Sequence, residues 1–446
     1  MKVFEQFRRI YSISSLSEIH DKQIPTSPAM GVDNMSQEIF IGMREEQLEI
    51  INRKVLAGKY AFTSYRLKLI SKGQGKSPRE ISIPTVRDRI VLKGLCIFLQ
   101  IRFREDIKDV LPQFVVKTVK GICITKQYDS FIKLDVSNFY PSIPHEKLIR
   151  RLRKRIKSAE ILNLIECSIS TPTVSKPKSG VAKNTQGVPQ GLSISNVLAS
   201  IYLSNIDKRY EGDDRLKYFR YVDDILILCN WEDILDIRKD IAKRFSGLKL
   251  KIHAEALGSD KSTSGRLDRE GFSYLGYSFK EGLVTVRLGS VEKLRESILT
   301  IFTGYKHSKL KSEEFLMWRL NLRITGCIFN KKSKGWLFFF SEINDESLLH
   351  ELDFFVDKLC KRFNVSNLEI KKFVRSHYQI QHSRTESKYI QNFDLYNVND
   401  MSRVLSIFGK ATDKMSEQQI RNEFNRRIAR QVRDLETDIQ NAGSTN

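Results

Sequence analysis

The spacing of apolar and polar positions divides the chain into elements. Residues 1 to about 60 read as helical, and within them residues 37–56 are amphipathic. Residues 131–135, Phe-Ile-Lys-Leu-Asp, are a short apolar run ending in a carboxylate. Tyr218-Phe219-Arg220-Tyr221 and Ile225-Leu226-Ile227-Leu228-Cys229 read as two strands joined at Val222-Asp223-Asp224, and so as a hairpin. Between these sites, residues 197–203 begin an apolar helix. Residues 171–180 are rich in Pro, Ser and Lys and predict a mobile loop. Past residue 280, helical patterns at 292–302 and 347–363 surround Trp336-Leu337-Phe338-Phe339-Phe340, a strand or a core run.

Asp223 and Asp224 put two like charges on a hairpin tip, which is unfavourable unless cations neutralise them. Asp is also an ordinary turn former, so the pair alone is equally a plain turn. Asp135, at the end of its own apolar run and followed by Val136-Ser137-Asn138-Phe139-Tyr140, adds a third carboxylate. Three carboxylates at strand ends, without Cys or His, suit hard cations such as Mg²⁺ or Mn²⁺ and not zinc. In-line phosphoryl transfer uses such a cluster, with two metals about 3.5–4 Å apart holding the attacking and leaving oxygens.

Residues 185–196 read Thr-Gln-Gly-Val-Pro-Gln-Gly-Leu-Ser-Ile-Ser-Asn and open the 197–203 helix. Gly187 and Gly191 flank Pro189-Gln190, so another backbone or a ligand comes close, and the serines are candidate helix caps. Upstream, Lys72 and Arg79 lie on a turn leading into Ile83-Pro84-Thr85-Val86-Arg87-Asp88-Arg89. Gly271-Phe272-Ser273-Tyr274-Leu275-Gly276-Tyr277 follows the Asp-Asp hairpin.

In order and spacing these motifs resemble the polymerase core of reverse transcriptases over roughly residues 60 to 280. They are similar to the bacterial group II intron and retron branches, and especially to the antiphage, abortive-infection relatives. The resemblance implies an α+β, right-hand polymerase fold. Fingers and palm would occupy 61–280, with an antiparallel sheet carrying the Asp-Asp hairpin. A helical extension would precede them (1–60), and a thumb (281–375) and helical C-terminal region (376–446) would follow.

By the same resemblance, Asp135, Asp223 and Asp224 are the catalytic carboxylates and, with Val136, the ligands of Mg²⁺ or alternatively Mn²⁺. Lys72, Arg79, Gln190 and Lys261 contact the nucleotide, although the local match at Lys261 is poor. Tyr140 is the aromatic platform that excludes a ribose 2′-OH, or else ordinary core packing. Phe272, Tyr274, Leu275 and Gly276 form the primer grip. A forked guanidinium such as that of Arg79 grips phosphate with two bonds where Lys72 offers a point charge.

Charge sharpens the expectation of a polyanionic partner. The 446 residues carry a formal net charge of +22, which favours nucleic acid over a small acidic substrate. Residues 147–157 place Arg150, Arg151, Arg153, Lys154 and Arg155 on a predicted helix with no acid among them, the expected nucleic-acid face. A second basic stretch, 421–433, is weaker because it contains an acid. The expected partners are an RNA template, a noncoding RNA by the resemblance, together with dNTPs and the DNA product; a homo-oligomer is left open.

Other signals are refused. Gly75-Lys76-Ser77 ends like a phosphate-binding loop, but Ile70 stands where its first Gly belongs. The six Cys contain no Cys-x-x-Cys and read as reduced thiols of a cytoplasmic protein. His377 and His382, five apart amid charges, read as a solvated helix. No apolar run reaches the ~18–20 residues of a membrane span, and the first residues lack a signal peptide's apolar region.

Departures from the intron and retron patterns favour a stand-alone defence enzyme. Gly121-Ile122-Cys123 replaces the Gly-Phe-Arg of intron enzymes, and the Asn-Ala-x-x-His and Val-Thr-Gly marks of retron enzymes are missing. The tail has neither a His/Asn nuclease pattern nor an RNase H acid pattern. The alternatives are a template-independent or protein-primed DNA polymerase, a group II intron or retron-like enzyme, and last a non-catalytic RNA-binding module.

Overall fold

The computed structural model describes residues 3–24, 29–71, 77–108, 110–176, 180–255, 261–308, 311–365, 367–437 and 439. The chain begins with four helices, α1 (Val3–Ile10), α2 (Ile13–Gln23), α3 (Gln37–Gly42) and α4 (Arg44–Leu56). The amphipathic stretch 37–56 is therefore divided into two helices. Gly42, a poor helix former, ends α3, and Met43 at φ −115° starts α4 afresh. The antiparallel pair β1 (Tyr65–Ile70) and β2 (Arg79–Ile83) then leads into α5 (Val86–Arg102), capped by the Thr85 side chain on the Asp88 amide.

Helix α6 (Pro112–Thr125) precedes strand β3 (Ser130–Ser137), the short α7 (Phe139–Ser142), α8 (His145–Leu152) and α9 (Ala159–Ser170). Helix α8 ends at Leu152, earlier than the 147–157 pattern predicts, because its buried residues Leu148, Ile149 and Leu152 fill one face and the next apolar residue, Ile156, lies beyond a turn. The segment expected to be a mobile loop instead contributes β4 (Thr173–Val174), which pairs in parallel with β1. Its residues 177–179 lie outside those described.

Helix α10 (Ser195–Glu211) is followed by the hairpin β5 (Leu216–Tyr221) and β6 (Asp224–Cys229), helix α11 (Ile234–Gly247), β7 (Lys251–Ile252) and β8 (Thr263–Arg266). One sheet has the order β5-β6-β3-β7, with β8 also beside β3. Strand β6 is buried along its whole length and β3 nearly so, as befits central strands; β6 is apolar from Ile225 to Cys229, whereas β3 also buries Lys133 and Asp135.

Next come β9 (Phe272–Tyr274), β10 (Tyr277–Lys280), β11 (Leu283–Val286), α12 (Leu288–His307) and α13 (Glu313–Thr325). They are followed by β12 (Cys327–Phe329), β13 (Lys332–Lys334), α14 (Trp336–Phe339), α15 (Glu346–Arg362), α16 (Phe373–His382), β14 (Gln391–Asn392), α17 (Val398–Ile407) and α18 (Glu417–Thr437). The 336–340 run is thus a helical turn in the core. Trp336, Leu337, Phe338 and Phe340 are all buried, and such a continuous apolar run does not distinguish helix from strand.

The chain packs as two compact units, Met1–Asp109 with Ile132–Ser264, and Val110–Phe131 with Gly265–Asn446. In the first, α5 and α10 bury their apolar residues in one core with β3 and the β5–β6 hairpin. In the second, α18 buries Ile420, Phe424, Ile428, Val432 and Leu435, at four- and three-residue steps, against Trp318, Phe393 and Leu405. The architecture is α+β.

Candidate active site

The β5–β6 register pairs Tyr221 with Asp224, leaving Val222 and Asp223 as a two-residue turn. Val222 adopts φ +59°, a left-handed conformation unusual for a β-branched residue. Asp224 is buried at the start of β6, and Asp135 is buried on β3, the next strand in the sheet. The Asp223 carboxyl is pushed up to about 6, first by burial and then by the negative charge of Asp135, while Arg79 and Arg220 pull it down. The same charges act on Tyr140, whose hydroxyl is raised by burial and by Asp223 and lowered by Arg220 and Arg79. Asp135, Asp223, Arg79 and Tyr140 therefore share one locality.

Tyr140 is half-buried, and its hydroxyl donates to Asn196 Oδ1 at 2.5 Å, at the start of α10. Gln190 is anchored through its carbonyl, which accepts from the Ser82 amide at 2.7 Å. Its neighbour Gly191, at φ +99°, needs to be glycine, since a Cβ there would sit 2.8 Å from Ile81 Cγ2 and 3.0 Å from the Ser82 carbonyl. It is the Ile81 side chain and the Ser82 backbone of β2 that approach this glycine. The expectation that serine caps α10 is not met: Ser195 donates its hydroxyl to the Pro189 carbonyl at 2.6 Å, tying the helix to the Pro-Gln-Gly turn.

His253 is the residue that sequence reasoning missed. Its Nε2 lies 3.6 Å from Asp135 Oδ2 and 3.2 Å from Lys261 Nζ. Burial, Lys261 and Lys251 hold the imidazole below its ordinary value, so it is neutral at pH 7. A lone His at a strand end gives no sequence signal; the β3–β7 register, Val136 opposite Ile252, is what sets it beside Asp135. Lys261 reaches the site through this contact, and Lys72 lies outside the described residues.

Among the described residues no three His, Cys, Asp or Glu side chains are gathered as an ion cage. The donor chemistry nonetheless fits a hard cation: buried carboxylates at Asp135 and Asp224, and a third, Asp223, whose ionisation is disfavoured until positive charge arrives.

The basic stretch after α8 is less free than its sequence implies. Arg151 donates to Ser204 Oγ and Asn205 Oδ1, both at 2.6 Å, and Arg150 pairs with Glu146. Arg155 pairs with Glu105 and Asp106 at 3.1 and 3.2 Å. The acids absent from 147–157 are thus supplied by Glu146, just before the window on α8, and by Glu105 and Asp106 from earlier in the chain, leaving Arg153 and Lys154 exposed.

The expected primer-grip residues lie in the second unit. Leu275 (φ +50°) and Gly276 (φ +84°) make the turn between β9 and β10. Phe272 stacks on Phe279 with centroids 4.8 Å apart, and Tyr274 is fully buried.

Residues 70–279 match the family described as reverse transcriptase (RNA-dependent DNA polymerase). The chain is 26% identical over 189 residues to Protein YkfC of Escherichia coli, covering 40% of this chain and 49% of that protein. It is 27% identical over 181 residues to the group II intron-encoded protein LtrA of Lactococcus lactis, covering 37% and 28% respectively. The chain therefore spans about half or less of the length of these curated relatives. Among solved structures, apo telomerase from Candida tropicalis aligns with a TM-score of 0.43 at 13% identity, over 88% of this chain and 74% of that one.

Proposed function

We propose that the chain, whose residues 70–279 match the reverse transcriptase family, is an RNA-directed DNA polymerase, a nucleotidyltransferase adding dNTPs to a primer. The observation that carries this reading is the juxtaposition of buried Asp135 with Asp223, whose carboxyl sits near 6 because of burial and the repulsion between the two charges. Such a pair is unfavourable until a cation joins it.

Asp135, Asp223 and Asp224, with the Val136 carbonyl, are the groups that would hold Mg²⁺ or Mn²⁺. When bound, the ions supply neutralisation of the charge that develops between the attacking and leaving oxygens. Arg79 forks onto the triphosphate, with Lys72 and Lys261 adding point charges. Gln190 touches the bound nucleotide from a turn fixed to β2, and Tyr140, braced by Asn196, forms the floor that meets a 2′-OH. Primer positioning is assigned to the β9–β10 turn.

The template is taken to be a noncoding RNA, and the setting antiphage defence in the cytoplasm; the defence role rests on the sequence resemblance alone. Among the described residues, no helix is long and apolar enough to cross a membrane. The intron-encoded relative favours a group II intron-like enzyme as the second reading. Primer extension decides between outcomes. The Asp223→Ala, Asp224→Ala double variant should incorporate no dNTP while still folding and binding RNA, and undiminished incorporation would sink the polymerase assignment. Synthesis that continues unchanged after ribonuclease treatment would move the reading to an untemplated enzyme.

A further inference from the structure

Arg220 and Asp207 form an ion pair whose side chains are only 3% and 2% exposed, deep in the first unit. The guanidinium forks onto the carboxylate, Nε to Oδ1 at 2.7 Å and Nη2 to Oδ2 at 2.5 Å. Its remaining nitrogen, Nη1, donates at 2.8 Å to the carbonyl of Val222, the left-handed residue of the Asp-Asp turn. Tyr218 also donates to Asp207 Oδ1, at 3.1 Å, so the acceptor is itself held in place.

A β-branched residue at φ +59° persists only where its surroundings impose that conformation. Here the imposing contact is a charge-assisted bond from a guanidinium whose other two nitrogens are already fixed on Asp207. Asp207 belongs to α10, the helix that holds the Tyr140 hydroxyl through Asn196 and the Pro189 carbonyl through Ser195. One helix thus braces the nucleotide floor, the Pro-Gln-Gly turn and the carboxylate hairpin.

Resting on the polymerase reading above, we infer that Arg220 is a positioning residue, clamped by Asp207, which holds Val222 left-handed and thereby aims Asp223 and Asp224 at the reacting centre. Lysine at 220 keeps a charge for Asp207 but has no fork with which to reach Val222 as well. Glycine at 222 adopts the left-handed conformation without being held.

The test compares Arg220→Lys with the double variant Arg220→Lys, Val222→Gly. Arg220→Lys should lower kcat about 10-fold or more with less than a twofold change in dNTP KM. Adding Val222→Gly should recover at least threefold of that loss even if the melting temperature stays low. Parental kcat in Arg220→Lys, or no recovery in the double variant, overturns the inference. Should Arg220→Lys fail to fold, Asp207→Asn, which keeps the shape but releases the fork, is read the same way. Amide exchange at 222–224 supplies a readout independent of activity and should accelerate at least tenfold in Arg220→Lys. Unchanged exchange defeats the clamp, whereas a parent that makes no DNA yet shows faster exchange in the variant defeats only the polymerase reading.

Discussion

His253 is tied to Asp135 by backbone and lies beside its side chain: its amide donates to the Asp135 carbonyl at 2.9 Å, and its Nε2 lies 3.6 Å from Asp135 Oδ2. The imidazole is held neutral and at 3.6 Å makes no hydrogen bond, so it packs beside the carboxylate without neutralising it. Loss of such a supporting group typically weakens metal affinity by about 10–100-fold. His253→Ala should therefore raise the Mg²⁺ concentration for half-maximal primer extension roughly 10-fold, with a smaller effect at saturating metal. An unchanged Mg²⁺ titration would remove His253 from the site.

Asp223 ties stability to pH. Its folded carboxyl titrates near 6, above the ordinary 3.8, so the native state binds the proton more tightly than the unfolded chain does. Stability contributed by that proton is present below about pH 4 and is lost as pH rises through 6, at most about 3 kcal/mol. Without divalent metal, Asp223→Asn should flatten this segment of the stability curve and stabilise the protein at pH 7. Chemical denaturation at pH 4.5 and 7 checks the sign; a variant less stable than the parent at pH 7 would contradict it.

Much of this site is written locally in the chain. The Tyr221-Val222-Asp223-Asp224 turn and the 131–135 run are strand signals ending in carboxylates; they fold as a hairpin and a strand, although β3 continues two residues past Asp135 to Ser137. Gly191 is legible as a place of close approach, though not as to what approaches, since Ile81 and Ser82 arrive from a strand over 100 residues earlier. His253, Asn196 and Asp207 carry no local signature; they matter only through sheet register or helix phase. The basic run at 147–157 misleads for the converse reason, its neutralising Glu105 and Asp106 being invisible in the window that defines it.

Sugar selection rests on Tyr140. The ring is half-buried with its hydroxyl on Asn196, so Tyr140→Phe keeps the platform and removes one hydrogen bond, whereas Tyr140→Ala removes the surface that a 2′-OH would strike. Tyr140→Ala should lower dNTP over rNTP discrimination by at least 10-fold, and Tyr140→Phe should stay within about threefold of the parent, on the scale of one such contact. Competition assays with matched dNTP and rNTP give the ratio. Equal discrimination in all three proteins would make Tyr140 a packing residue.

The basic stretch separates into two kinds of cation. Arg153 and Lys154 are exposed, whereas Arg151 and Arg155 are bound by Ser204, Asn205, Glu105 and Asp106. Reversing Arg153 and Lys154 to Glu should weaken RNA binding and lower the log-log salt slope by about one unit for each phosphate no longer neutralised, with dNTP KM and melting temperature little changed. Reversing Arg155 instead places a carboxylate against Glu105 and the largely buried Asp106, a like-charge contact that should lower stability by about 2–4 kcal/mol and depress every activity together. Filter binding across a salt series, with thermal melts of the same proteins, distinguishes the two effects. If the Arg153, Lys154 variant binds RNA with the parental slope, the positively charged surface that meets the template lies elsewhere on the chain.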